Sequence, residues 1–239
     1  MRIGILAAMQ QEVSILKENM SLTKVTSANN CKFFFGKLND INIVVNQSGI
    51  GKVAATIGVA TLLEKYQSNI IINIGSAGAF SANLNPSDIV IGSKLCYHDV
   101  NMTGFGYKMG KMAGQPLVFS SDQELVRLAK RASSQIETHV MEGLICTGDT
   151  FVCNTKHRKF IQKYFPSAVA VEMEGAAVAQ TCHQFNVPFI VVRVISDVAN
   201  HNSAENFKKL LPDTIPKILS EVTIEILKLM KVSMHSKKP

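Results

Sequence analysis

The 239-residue sequence has no Cys-x-x-Cys pair, no apolar run of membrane-spanning length, no internal repeat and no proline-rich linker. Its five cysteines (Cys31, Cys96, Cys146, Cys153 and Cys182) are odd in number and widely spaced. That spacing excludes a disulfide framework or a zinc ribbon and points to a reducing compartment. No stretch approaches the roughly 18 to 20 uninterrupted apolar residues that a membrane span needs, so no membrane partner is expected. Gln10, Gln11 and Glu12 cut the opening apolar run too early for a secretion signal, and a cytoplasmic location is expected. With neither linker nor repeat to divide it, the chain reads as one domain over residues 1–231 and a basic tail over 232–239.

The chain carries 25 Lys and Arg against 18 Asp and Glu, a formal charge of +7, and 46% of its residues are hydrophobic. A chain this long buries about 70 to 75 per cent of its unfolded surface, enough for a large core without metal or disulfide staples. The positive excess is concentrated late. From Asn206 onward Lys208, Lys209, Lys217, Lys228, Lys231, Lys237 and Lys238 outnumber Asp213, Glu221 and Glu225. That segment has no arginine, no interleaved aromatics and no recognition motif, so no nucleic-acid partner is expected.

Strand-length apolar runs alternate with helical periods along the whole chain. Extended segments are expected at 3–8, 33–38, 41–46, 70–74, 88–92, 140–146, 169–172 and 189–195, and helices at 11–19, 53–65, 174–185 and 213–231. Continuous Val/Ile runs separated by helices indicate an α/β domain with a mainly parallel sheet covered on both faces. Residues 76–87 and the glycine-rich stretch 104–116 read as loops, the second long enough to be a lid or an oligomer contact.

Open α/β sheets bind ligands beyond the carboxyl ends of their strands. Met9 and Glu12 follow the first strand, Ser48, Gly49 and Ile50 a later one, and Gly75, Ser76 and Ala77 the next. Met173 and Glu174 follow the run ending at Glu172, and Ser196 and Asp197 follow the last strand. Glu12, Glu172, Glu174 and Asp197 are embedded in apolar sequence, where an ionised carboxylate is costly unless paired or used. Taken singly, Glu12 also suits a helix first turn, Asp197 a cap or turn, and Met173 ordinary core. Gly49-Ile50-Gly51-Lys52 lacks Walker A spacing, and Gly75-Ser76-Ala77-Gly78 lacks the dinucleotide fingerprint, so neither ATP nor NAD follows. His98, His183 and His201 have no ligand spacing, and neither a metal nor a cofactor is expected. A nucleophile elbow and a reactive-cysteine signature are also absent.

Together these pieces resemble one family, the 5′-methylthioadenosine/S-adenosylhomocysteine nucleosidases of the purine nucleoside phosphorylase superfamily. The resemblance rests on Ile3-Gly4-Ile5-Leu6-Ala7-Ala8-Met9 followed by Glu12, on Ser48-Gly49-Ile50-Gly51-Lys52 and on Asn73-Ile74-Gly75-Ser76-Ala77-Gly78. It continues through Thr147-Gly148-Asp149, Val171-Glu172-Met173-Glu174 and Arg193-Val194-Ile195-Ser196-Asp197. Departures are minor, such as Val152 where isoleucine is frequent. The resemblance implies a nucleoside phosphorylase-like three-layer sandwich, with a mixed, mainly parallel sheet between helices. It also implies hydrolysis of an N-glycosidic bond that releases adenine and a thio-substituted ribose.

By the same resemblance Asp197 is the general acid toward nitrogen 7 of adenine, Glu12 the base that activates water, and Glu174 the residue that binds the ribose hydroxyls. Two carboxylates then act ionised while the third delivers a proton, so their environments must differ. Phe151 resembles the aromatic that stacks on adenine, and the Val152 backbone meets the base edge. Met173 packs under the sugar, and Met9 and Ile50 line the alkylthio end. Ser76, Glu172, Arg193, Ser196 and Phe207 match further positions near water, ribose or base. Met102 and Phe105 match a loop that reaches the neighbouring subunit's site, which implies a homodimer.

Three alternatives are weighed against this one. A phosphorylase needs cationic donors, and of the five arginines (Arg2, Arg127, Arg131, Arg158, Arg193) only Arg193 is near the site; Glu12 would also repel phosphate. A non-catalytic nucleoside binder would have lost an acid, yet Glu12, Glu174 and Asp197 are all present. A nucleosidase for futalosine-type nucleosides would share these residues.

Overall fold

The structure, a computed structural model, describes residues 1–198 and 203–236. In chain order the elements are β1 (Arg2–Ala7), α1 (Gln10–Glu18), β2 (Ser21–Ala28), β3 (Cys31–Leu38), β4 (Ile41–Gln47), α2 (Lys52–Glu64), β5 (Ile70–Ala79) and β6 (Ile89–Tyr97). A 3₁₀ turn (Thr103–Phe105) precedes β7 (Phe119–Ser120), α3 (Gln123–Ser133), β8 (Val140–Thr147), α4 (Thr155–Tyr164), β9 (Ala168–Glu172), α5 (Gly175–Phe185), β10 (Phe189–Asp197), α6 (Ser203–Leu210) and α7 (Thr214–Ser236).

The strands form one mixed sheet. β4, β1, β5 and β10 lie side by side and parallel. A second parallel run, β6, β8 and β9, joins them antiparallel, through β6 to β10 and through β9 to the end of β5. The β2–β3–β4 meander turns on Asn29-Asn30 and Asn39-Asp40, four residues with positive φ that asparagine and aspartate tolerate best among non-glycines.

Helices cover both faces, as the uninterrupted apolar strands require. On one face Val13 and Leu16 of α1, Leu125 and Ala129 of α3, and Leu219, Val222 and Ile226 of α7 pack on Ile5, Val45, Ile72 and Val192. On the other, Val59 and Leu62 of α2 and Ala176 to Ala179 of α5 pack on Leu6, Val44, Ile71 and Val191. Burying each of the valine, leucine and isoleucine side chains contributes roughly 1.5–3 kcal/mol. Among the described residues, no helix is long and apolar enough to cross a membrane.

Five elements went unassigned by pattern: β2, the two-residue β7, α3, α4 and α6. The loop expected over 76–87 begins later, because β5 continues to Ala79 to pair Gly78 and Ala79 with Val171 and Ala170 of β9. The last helix continues past Lys231 to Ser236. Lys237 and Lys238 of the expected basic tail, and His201, lie outside the described residues.

One topological detail positions the site. Along one edge of β5, Ile70 to Asn73 pairs with β1 and Gly78 and Ala79 pair with β9. Among the described residues the intervening Ile74 to Ala77 has no strand beside it on that edge, and the sheet opens there.

Candidate active site

Glu12 enters that opening. It sits in the first turn of α1, where its Oε2 accepts the backbone N–H groups of Ala8 (3.1 Å) and Met9 (3.0 Å), the latter as in a capping box. Its Oε1 accepts both the N–H (3.0 Å) and the hydroxyl (3.1 Å) of Ser76. The unpaired edge of β5 is thus satisfied by a side chain instead of a strand. Gly75 leaves the room this requires: a Cβ there would lie 3.1 Å from Glu12 Oε1.

Around Glu12 is a cavity of about 350 Å³, within the range of small-molecule sites. Its wall includes Met9, Ile50, Ser76, Phe151, Val152, Glu172, Met173, Glu174, Ser196, Asp197 and Phe207. Sequence reasoning named all of these. It did not single out Thr150 and Val171, which also contribute. At one end Phe151 of the β8–α4 loop and Phe207 of α6 face each other edge to face, with centroids 6.0 Å apart.

The acids are buried: Glu12 is 2% exposed, Glu172 6%, Glu174 8% and Asp197 1%. Each is held differently. Glu172 at the end of β9 gives Oε2 to the Arg193 guanidinium (2.6 Å) and to the N–H groups of Glu174 (2.9 Å) and Gly175 (2.7 Å), so it caps α5. Its Oε1 accepts the Thr147 hydroxyl, which in turn accepts Ala176 N–H (2.8 Å). Glu174 accepts Gly51 N–H (2.8 Å) at the start of α2. Burial and the neighbouring Glu172 push its carboxyl up to about 8, against the pull of Arg193 and that N–H; Glu12 adds a smaller push upward. Burial likewise raises Glu12, although its N–H donors and Arg193 oppose the rise. Asp197 Oδ1 accepts the Ser196 hydroxyl (2.6 Å).

Arg193 stands apart from these residues. It does not line the cavity but lies behind it, 1% exposed, donating to Glu172 and to Asn73 Oδ1 (2.6 Å) and the Asn73 carbonyl (3.3 Å). Its hydrogen bonds go to the scaffold, while its charge still reaches Glu12 and Glu174. Among the described residues no lysine, arginine or histidine lines the cavity. The nearby His98 is 1% exposed against Gly148, and burial pushes its imidazole down to about 4, so it is neutral at pH 7. Met102 and Phe105 also lie outside this chain's cavity; Phe105 is 81% exposed in the turn after β6. Among the described residues no cluster of three or more His, Cys, Asp and Glu can hold a metal ion.

Hydrogen-bond acceptors set around a partly apolar cavity, with aromatics at one end and no cation on the wall, suit a neutral, donor-rich ligand with a flat ring. Known proteins agree. The family model described as the phosphorylase superfamily matches residues 2–225. The 5′-methylthioadenosine/S-adenosylhomocysteine nucleosidase of Neisseria meningitidis, solved with methylthio-immucillin-A, is 38% identical, covering 95% of this chain and 99% of its own, with a TM-score of 0.93. The corresponding nucleosidase of Colwellia psychrerythraea, solved with adenine, is 40% identical over 95% of each chain, with a TM-score of 0.92. The futalosine hydrolase of Helicobacter pylori is 28% identical, covering 95% of this chain and 97% of its own, with a TM-score of 0.91. The chain therefore belongs to the phosphorylase superfamily and, within it, to the 5′-methylthioadenosine/S-adenosylhomocysteine nucleosidase family.

Proposed function

We propose that this chain hydrolyses the N-glycosidic bond of 5′-methylthioadenosine and S-adenosylhomocysteine, releasing adenine and the thio-substituted ribose. The observation that carries the reading is the cavity wall itself: Glu12, Glu174 and Asp197 converge on it and no cationic side chain among the described residues joins them. Phosphate, the nucleophile of a phosphorylase, would meet carboxylates there and no positive partner. Water would meet a base.

The position of each residue supports its role. Adenine stacks at the Phe151 and Phe207 end, with the Val152 backbone at its edge. Asp197, oriented by Ser196, donates a proton to nitrogen 7, which makes adenine a better leaving group. As the bond lengthens, positive charge grows on the ribose ring beside Glu174 and Glu12. Glu174 receives the ribose hydroxyls, and Met173 packs under the sugar. Glu12, fixed by four donors, takes a proton from the attacking water. Met9 and Ile50 line the end where the alkylthio group lies.

The same reading includes a homodimer in which Met102 and Phe105 complete the partner's cavity. The exposure of Phe105, and of Val53 at 70% on α2, supports this, because large apolar side chains seldom face water in numbers without a partner. A cytoplasmic setting is supported by five free thiols, two of which, Cys96 and Cys146, share a hydrogen bond at 3.5 Å rather than a disulfide.

The test is adenine release from 5′-methylthioadenosine, S-adenosylhomocysteine and futalosine in parallel. Release from the first two, with futalosine much slower, is the expected result. Preferential cleavage of futalosine would assign the chain to the other activity present among its relatives. No release from any of the three would remove the proposal.

A further inference from the structure

The start of α2 has no cap of its own. Its cap position is Gly51, with φ 95°, and its first turn contains no acid. Two carboxylates from elsewhere in the chain supply what is missing. Gly51 N–H donates to Glu174 Oε1 at 2.8 Å, and the next N–H, of Lys52, donates to Asp149 Oδ1 at 2.8 Å. A Cβ on Gly51 would lie 2.9 Å from Asp149 Oδ1, so the close approach depends on glycine.

Asp149 is itself held. Its N–H donates to Asp99 Oδ2 (3.0 Å), which also accepts Lys52 Nζ (2.6 Å), and Lys52 Nζ lies 3.8 Å from Asp149 Oδ2. The ring so formed ties together the loops that follow β4, β6 and β8. The first carries Ile50 and the N–H that holds Glu174, and the third carries Phe151. Neither Asp149, Asp99 nor Lys52 lines the cavity.

We propose that Asp149 is a positioning residue for glycosidic hydrolysis, fixing the two consecutive peptide groups at Gly51 and Lys52 so that the Glu174 carboxylate and the Phe151 ring are held in register with each other. This rests on the nucleosidase reading above. The two N–H groups are neighbours on one short stretch of backbone: a shift of Asp149 moves the base-stacking loop and loosens Glu174 together. Misplacement by about 1 Å is enough to cost on the order of a hundredfold in rate.

A purely structural cap would cost stability alone, and the pH profile separates the two roles. Glu174 faces Glu172, Glu12, Arg193 and the Gly51 N–H; the two acids disfavour its charge, and the cation and N–H favour it. Loosening only the N–H raises the pH at which Glu174 ionises. The acid limb of kcat/KM therefore moves to higher pH.

The experiment uses the full chain with 5′-methylthioadenosine and compares Asp149→Ala, Asp149→Asn and Glu174→Gln, singly and as the Asp149→Ala/Glu174→Gln pair. If the alanine variant does not fold, Asp149→Ser, whose hydroxyl is too short to reach Lys52 N–H, takes its place. The expected result for Asp149→Ala is a roughly ten- to hundredfold fall in kcat/KM with the acid limb moved to higher pH. Asp149→Asn keeps the acceptor and restores most of both. In the Glu174→Gln background the same change costs much less, because the two act through adjacent peptide groups. Unchanged kinetics in a folded alanine variant would overturn the proposal, as would a fall with the acid limb unmoved or full additivity in the pair. Wild-type protein that releases no adenine would overturn the nucleosidase reading instead, a failure visible before any variant is compared.

Discussion

Two sets of buried carboxylates lie within one wall of this molecule and are treated in opposite ways. Glu172 meets a full cation, Arg193, as well as a hydroxyl and two N–H groups. Glu12 and Glu174 accept their hydrogen bonds from N–H and hydroxyl groups and feel Arg193 only from farther off, and burial pushes both toward the neutral form. The first arrangement makes a scaffold: the matched pair joins β9, β10 and α5. The second makes a site, where the charge on two acids is under-compensated until something positive sits beside them. A ribose ring losing its base is such a group. The cavity is therefore built for a charge that develops during the reaction, which is where electrostatic catalysis acts most strongly.

The sharpest way to break this comparison is to neutralise an acid on the catalytic side. Asp197→Asn and Glu12→Gln should each lower kcat by about 10²–10⁴, as expected for loss of an acid or base. Both should remain folded, with Glu12→Gln losing some stability because an amide NH₂ then faces N–H and hydroxyl donors that the carboxylate accepted. Near-normal turnover in either variant, measured by adenine release, would remove that residue from its role.

On the scaffold side the loss should appear as stability. Arg193→Leu leaves Glu172 buried without its cation and should cost about 3–5 kcal/mol in urea unfolding. A loss of about 1 kcal/mol or less, as for an exposed pair, would erase the distinction between the two sets.

The pH dependence of stability offers a gentler test. A carboxyl whose ionisation is raised by folding favours the folded state most below its unfolded value near 4.5, and that contribution is lost as pH rises toward its folded value, about 8 for Glu174. Unfolding free energy of the wild type should therefore decline across that window more than in Glu174→Gln. Parallel curves would contradict the raised carboxyl. The Glu174→Ala enzyme should also show a higher KM and a lower kcat together, and unchanged kinetics would contradict its ribose contact. The smallest effect expected is for Phe105→Ala, a several-fold weakening of substrate binding in a folded dimer. Full-strength binding would detach Phe105 from the partner's site.

The same contrast separates what the sequence disclosed from what it hid. Acids in apolar runs at strand ends were visible, because few contexts other than a site or an ion pair hold a carboxylate there. Arg193 shows the limit of that reading. Its place in the last strand is as expected, but residue identity does not say whether a buried arginine faces ligand or scaffold, and it faces Glu172. The long apolar strands were found, whereas β2 was not, since most of its residues face solvent and it pairs only with β3. α3 and α4 lack long apolar runs, but each had a signal: Asp122 caps Leu125 N–H, and Asn154 caps His157 N–H. The Asp149 ring left no trace in the pattern, because it joins residues that are distant along the chain.

The central claim is that a carboxylate wall with no cationic side chain among the described residues uses water and excludes phosphate. The most direct measurement is the identity of the sugar formed from 5′-methylthioadenosine at saturating phosphate. The account predicts free methylthioribose, at a rate independent of phosphate. A phosphate-dependent rate with a sugar 1-phosphate product would contradict it.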